Sequence, residues 1–168
     1  MSAYGGEWPR ADGAEPDTRA PGLYGGGPID TTALIVDDDA RNIIALTALL
    51  ERAGISVAAV TSGPQALTTL TERADVGIVL MDIMMPEMDG YQTMLAIRKL
   101  PELADLPIIA VTGKDADGER ERCLNAGASD YVAKPVSPRL LDLIGAWMSP
   151  HDPARTDAVA AYHRHDDD

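Results

Sequence analysis

Three aspartates in a row, Asp37-Asp38-Asp39, follow the apolar run Leu34-Ile35-Val36, and a lone aspartate, Asp82, follows Gly77-Ile78-Val79-Leu80-Met81. Two further aliphatic runs end at Thr112 and close to Lys134. Carboxylates about 4 Å apart repel by roughly 4 kcal/mol per pair at an effective dielectric of about 20, so such a cluster is costly without a cation. A hard divalent ion such as Mg2+ takes oxygen ligands and usually keeps waters alongside one or two carboxylates and phosphate oxygens. Asp37, Asp38 and Asp82 can supply those carboxylates. An aspartate can also attack phosphorus and hold the phosphoryl group as an acyl phosphate. The charge spread over the phosphoryl oxygens then needs positioned donors, a task open to the Thr112 hydroxyl and the Lys134 ammonium. The set has the composition of a magnesium-assisted phosphoryl acceptor. Taken singly, each residue has a plainer reading: an acidic triplet facing solvent, a capping threonine, a surface lysine. Asp39 is either a solvated neighbour of the cluster or the N-cap of a helix beginning near Ala40.

Short strands, loops and stretches of helical spacing alternate to position these residues. The strands are Ala33 to Val36, Ser56 to Val60, Val76 to Met81, Ile108 to Val111 and Tyr131 to Ala133. The first helix carries Ile43, Ile44, Leu46, Thr47, Leu49 and Leu50 at helical spacing and is stopped by Gly54. The second starts at Ser62-Gly63-Pro64, where a missing N–H costs little. The others span Tyr91 to Leu100, Glu119 to Asn125 with Gly127 as terminator, and Arg139 to Met148. Asp89-Gly90 reads as a turn and helix start. Five βα units with unbroken aliphatic strands predict an α/β fold, a doubly wound parallel sheet covered by helices on both faces. Ligands of such sheets bind at the carboxyl ends of the strands, which is where all the singled-out residues fall.

The chain has 168 residues, a formal net charge of -13 and no phenylalanine, so its core is predicted to be aliphatic. No stripe of Lys and Arg is present to replace counterions along a phosphate backbone, which argues against direct nucleic-acid binding. Cys123 is the single cysteine, expected to be a half-buried small hydrophobe rather than a redox switch. No apolar run has membrane-spanning length and no leader pattern opens the chain, so a soluble, cytoplasmic protein is expected. Residues 1–30 hold seven of the fifteen glycines and four of the twelve prolines, and such composition predicts a disordered tail. Residues 149–168, ending in Asp166-Asp167-Asp168, are expected to be a disordered acidic tail. The one domain then spans 31–148. All three histidines, His151, His163 and His165, lie beyond it, leaving none inside to carry phosphate.

The motifs Leu34-Ile35-Val36-Asp37-Asp38, Met81 to Gly90, Val111-Thr112-Gly113 and Ala126 to Pro135 together resemble the receiver domain of two-component response regulators, over about residues 31–148. The resemblance implies a five-stranded flavodoxin-like sheet, order 2-1-3-4-5, with five helices. It implies that Asp82 accepts a phosphoryl group from a sensor histidine kinase or a histidine phosphotransfer protein. Asp37, Asp38, Asp82 and the backbone carbonyl of Met84 would bind Mg2+, Thr112 and Lys134 would grip the phosphoryl group, and Tyr131 would be an aromatic switch. The output would be a change at the face of helix 4, strand 5 and helix 5, read by an unknown downstream protein, with a phosphorylation-dependent dimer possible. A cis peptide between Lys134 and Pro135 also belongs to the family pattern. Gly113 departs from the small side chain common there, which should loosen the loop carrying Thr112. Two other readings compete: a Mg2+-dependent aspartyl-phosphate phosphohydrolase, and a phosphorylation-independent pseudo-receiver scaffold. The first needs a second acid two residues after the nucleophile, where Met84 stands.

Overall fold

The computed structural model describes residues 31–113, 117–148 and 155–166. The expected N-terminal tail over residues 1–30 lies outside them. Five strands, β1 (Thr32–Val36), β2 (Ser56–Val60), β3 (Val76–Asp82), β4 (Ile108–Thr112) and β5 (Asp130–Ala133), form one parallel sheet in the order β2-β1-β3-β4-β5. Among the described residues, six α-helices accompany them: α1 (Ala40–Arg52), α2 (Gly63–Glu72), α3 (Gly90–Arg98), α4 (Glu119–Ala126), α5 (Leu140–Trp147) and α6 (Arg155–Asp166). A short 3-10 turn covers Pro101–Leu103.

Because side chains alternate across a strand, the central strands feed two separate cores. Leu34, Val36, Val79, Met81, Ile108 and Ala110 pack with Ala66 and Leu70 of α2, Met94 and Ile97 of α3, and Cys123 of α4. Ala33, Ile35, Ile78, Leu80, Ile109 and Val111 pack on the opposite face with Leu46 and Leu50 of α1, Leu143 and Ile144 of α5, and Tyr162 of α6. Aliphatic residues on both faces of β1, β3 and β4 are what a sheet buried on two sides requires. β2 lies at the edge and is more open. Cys123 is fully rather than half buried. Ile44, expected on the apolar face of α1, is 69% exposed; Leu46 and Leu50, one turn apart from each other, take the core positions instead.

A polar side chain caps the start of each of the first three helices. The Asp39 side chain accepts from the Arg41 amide at 2.9 Å and caps α1, resolving its two readings in favour of the cap. Ser62 caps α2 with Pro64 in the first turn. Asp89 and Gln92 form a reciprocal capping box at α3, which satisfies two otherwise orphaned amides.

Part of the expected disordered tail over 149–168 lies outside the described residues, and the described residues 155–166 form α6 instead. Its segment Ala158-Val159-Ala160-Ala161-Tyr162 combines good helix formers with two apolar residues three apart, enough to dock one face. Tyr162 is 6% exposed, Val159 packs against the same core, and the Arg139 guanidinium lies 4.6 Å from the Tyr162 ring centre. Arg139 Nη2 also donates to the Tyr162 carbonyl at 2.6 Å. His163 therefore belongs to the folded body, its Nε2 2.7 Å from Oδ1 of buried Asp130. Trp147 Nε1 donates to the other Asp130 oxygen at 2.9 Å.

Candidate phosphoacceptor site

Three parallel strands deliver the acidic cluster and its cation to one edge. Asp37 follows β1, Asp82 is the last residue of β3, and Lys134 follows β5. Asp37 and Asp82 are buried, at 2% and 4% exposure, while Asp38 is exposed. One carboxylate oxygen from each of Asp37, Asp38 and Asp82 lies within 4.8 Å of the others. Lys134 Nζ donates to Asp82 Oδ1 at 2.9 Å and stands 3.8 Å from Asp37 Oδ2. The backbone amide of Asp39 donates to Asp37 Oδ1 at 2.9 Å, which orients that carboxylate.

The electrostatics are those of a crowded anionic pocket. Burial, followed by the charges of Asp37 and Asp38, raises the Asp82 pKa above its ordinary value, although the Lys134 hydrogen bond pulls the other way. For Lys134, burial opposes the charge, but the hydrogen bond to Asp82 and the charges of Asp82, Asp37 and Asp39 outweigh it and raise the pKa. The ammonium is thereby held charged beside Asp82. Three hard oxygen donors around one partly uncompensated pocket fit a small divalent cation such as Mg2+ better than a soft metal.

The backbone leading out of β3 is fixed by close packing. Ile83 is fully buried, its amide donates to the Val111 carbonyl at 3.3 Å, and its carbonyl accepts from the Gly90 amide at 2.9 Å. A Cβ at Gly90 would meet the Asp82 carbonyl oxygen at 2.4 Å. Glycine at the end of the Asp82 loop is thus a steric necessity, as well as a turn signal. Met84, whose carbonyl was expected as a ligand, carries a side chain 57% exposed beside the site. The Lys134-Pro135 peptide is cis, and the Lys134 amide donates to the Thr112 carbonyl at 2.8 Å.

Thr112 ends β4 fully buried, and its hydroxyl donates to Glu119 Oε2 at 3.1 Å. The structure thus places this predicted donor in a second buried cluster with Tyr91, whose hydroxyl donates to the same oxygen at 2.7 Å. Burial, then the hydrogen bond and charge of Glu119, push the Tyr91 hydroxyl pKa up, and burial followed by the charge of Glu119 pushes the Cys123 thiol up to about 12. Such a thiol is unreactive at neutral pH, as expected for a packing residue. The reading of isolated strand ends missed Glu119 and Tyr91; the available signal was an acid in the first turn of the helix after Thr112. Tyr131 is half-buried and borders the first core. With Lys134, Trp147, Val159, Tyr162 and His163 it lines a groove of about 980 Å³ between β5 and α6.

Among the described residues, no helix is long and apolar enough to cross a membrane. The family model for the response regulator receiver domain matches residues 33–144. Two-component response regulator ORR12 from rice (Oryza sativa subsp. japonica) is 36% identical over 115 residues, 66% of this chain and 95% of that protein. The rice regulator ORR7 is also 36% identical, but only 55% of its length is matched. The histidine kinase BarA of Escherichia coli (strain K12) is 39% identical over 110 residues, which make up 12% of the kinase. Among solved structures, the receiver domain of a sensor histidine kinase from Pseudomonas aeruginosa PAO1 superposes with TM-score 0.64 at 36% identity, covering 71% of this chain and 98% of that one. That structure has a magnesium ion coordinated in its active site cleft. With the β2-β1-β3-β4-β5 order and a family match spanning most of the described sheet and helices, this chain belongs to the response regulator receiver domain family.

Proposed function

We propose that the chain is a signalling switch that accepts a phosphoryl group on Asp82 from a phosphohistidine of a sensor histidine kinase or histidine phosphotransfer protein. The observation that carries this is a buried carboxylate, Asp82, gripped by Lys134 at 2.9 Å amid two further aspartates. Lys134 occupies Oδ1, which leaves Oδ2 to attack the phosphorus in line. The P–N bond to the donor imidazole breaks as the P–O bond to Asp82 forms. Lys134 then shifts its ammonium toward a phosphoryl oxygen, and the Thr112 hydroxyl supplies a second donor. Asp37, Asp38, Asp82 and the Met84 carbonyl would hold Mg2+, which when bound neutralises charge on the phosphoryl oxygens. Tyr131 and the surface of α4, β5 and α5 would report the change to a downstream protein or a second copy of the chain. The phosphohydrolase reading gains no support at the position it requires, since Met84 offers no acid.

Incubating the protein with acetyl phosphate and Mg2+ and recording its intact mass tests the proposal. One phosphate-sized addition on the wild type, absent from Asp82→Asn, is expected. No addition on the wild type, or an equal one on Asp82→Asn, overturns it, and continuous release of inorganic phosphate favours the hydrolase instead.

A further inference from the structure

Glu119 is a buried carboxylate that the acidic cluster does not explain. It is 4% exposed in the first turn of α4, where the exposed amides and helix dipole favour an anion. Its Oε2 takes hydrogen bonds from Tyr91 Oη at 2.7 Å and Thr112 Oγ1 at 3.1 Å, with Cys123 Sγ at 3.7 Å. Donors from α3, β4 and α4 thus converge on one oxygen. A threonine hydroxyl has a single proton to donate, and Thr112 gives its proton to Glu119. That proton cannot at the same moment be given to a phosphoryl oxygen on Asp82.

We propose that Glu119 is a positioning residue that holds the Thr112 hydroxyl proton in the unphosphorylated protein, with Tyr91 competing for the same oxygen. Glu119 thereby sets how readily Thr112 is released to the phosphoryl group; this rests on the acceptor reading given above. Tyr91 has two effects. It weakens the hold on Thr112 by sharing Oε2, and it keeps that oxygen satisfied once Thr112 has gone, since a stranded buried carboxylate is costly. Removing the tyrosine hydroxyl leaves Thr112 with a stronger claim on Oε2 and tightens the hold. Removing the carboxylate charge loosens it, because hydrogen bonds to charged groups are roughly twice as strong as neutral ones.

Two opposed effects make the test discriminating. Phosphorylation of the full chain by acetyl phosphate and Mg2+ is followed by intact mass, with a thermal melt to confirm folding. Glu119→Gln is expected to raise the initial rate roughly tenfold, the equivalent of about 1.4 kcal/mol, and Tyr91→Phe to lower it several-fold. In a Thr112→Val background both effects should vanish, as a pairwise coupling requires. A loss of packing alone moves both variants the same way, and that outcome overturns the proposal, as does a Glu119→Gln effect that persists without the Thr112 hydroxyl. Should Glu119→Gln not fold, an unchanged or faster rate in Tyr91→Phe overturns it alone. Failure of the wild type to take up phosphate is a different result: it sinks the acceptor reading itself, and this inference with it.

Discussion

Two glycines beside the site have opposite surroundings, and replacing each with alanine separates a steric requirement from mere smallness. A Cβ at Gly90 would lie 2.4 Å from the Asp82 carbonyl oxygen and 2.7 Å from Ile83 Cα, where ordinary contact is about 3.5 Å or more. Both atoms are backbone, so the chain itself must move by about 1 Å. Overpacking of this kind costs about 1–3 kcal/mol. Weakening the 2.9 Å bond from the Gly90 amide to the Ile83 carbonyl adds about 1 kcal/mol. Alanine's better helix propensity returns up to about 1 kcal/mol, so Gly90→Ala should lose about 2 kcal/mol. The displaced atoms belong to Asp82, the proposed acceptor, and to its neighbour Ile83. Since a 1 Å misplacement can cost about a hundredfold in rate, phosphorylation by acetyl phosphate should fall by roughly that factor. At Gly113 a Cβ meets nothing within 4 Å among the described residues and the backbone is not left-handed. Gly113→Ala should therefore be neutral or gain about 0.4–1 kcal/mol by restricting the unfolded chain. Urea unfolding and initial phosphorylation rates measure both. Gly90→Ala within about 0.5 kcal/mol of wild type at an undiminished rate, or Gly113→Ala equally damaging, would refute the reasoning.

The raised Asp82 pKa contributes stability that is present at low pH and lost as pH rises through its folded value above 3.8. In chelator-treated protein, the stability of Asp82→Asn relative to wild type should hence grow between about pH 3 and pH 6, as read by urea titrations; a shrinking difference contradicts the burial of this charge. Added Mg2+ at ten times its dissociation constant should raise the unfolding free energy by about 1.4 kcal/mol. Most of that gain should disappear in Asp37→Asn, measured by thermal melts with and without metal. Tyr162→Ala removes a buried ring that α6 places against the second core and should cost up to about 3 kcal/mol. Hydrogen exchange should localise the loss to α6, and unchanged protection there would show that the ring does not anchor the helix.

The fold was readable in the sequence because each central strand is an aliphatic run and each of α1, α2 and α3 begins at a polar cap of its own. Asp89-Gly90 is an example of a signal with two causes: the capping box accounts for Asp89, and the collision with the Asp82 carbonyl accounts for Gly90. Strand ends brought Asp37, Asp82 and Lys134 together as expected. Thr112 was placed on the correct strand, but its partner Glu119 depends on a contact between elements that periodicity cannot carry. α6 was missed for another physical reason. It carries few apolar residues, and its docking relies on Arg139 and Asp130, which are reached only once α5 and β5 are in place.

α6 bears on the energetics of any encounter at the β5 side of the molecule. Tyr131 and Lys134 share a groove with Val159, Tyr162 and His163, so a visitor to that surface meets the chain's own helix there. A partner that needs the surface bare binds with its intrinsic affinity scaled by the fraction of molecules whose α6 is undocked. If undocking costs about 2.8 kcal/mol, that fraction is about one in a hundred, and any change that loosens the Tyr162 anchor would strengthen such a partner without touching its contacts.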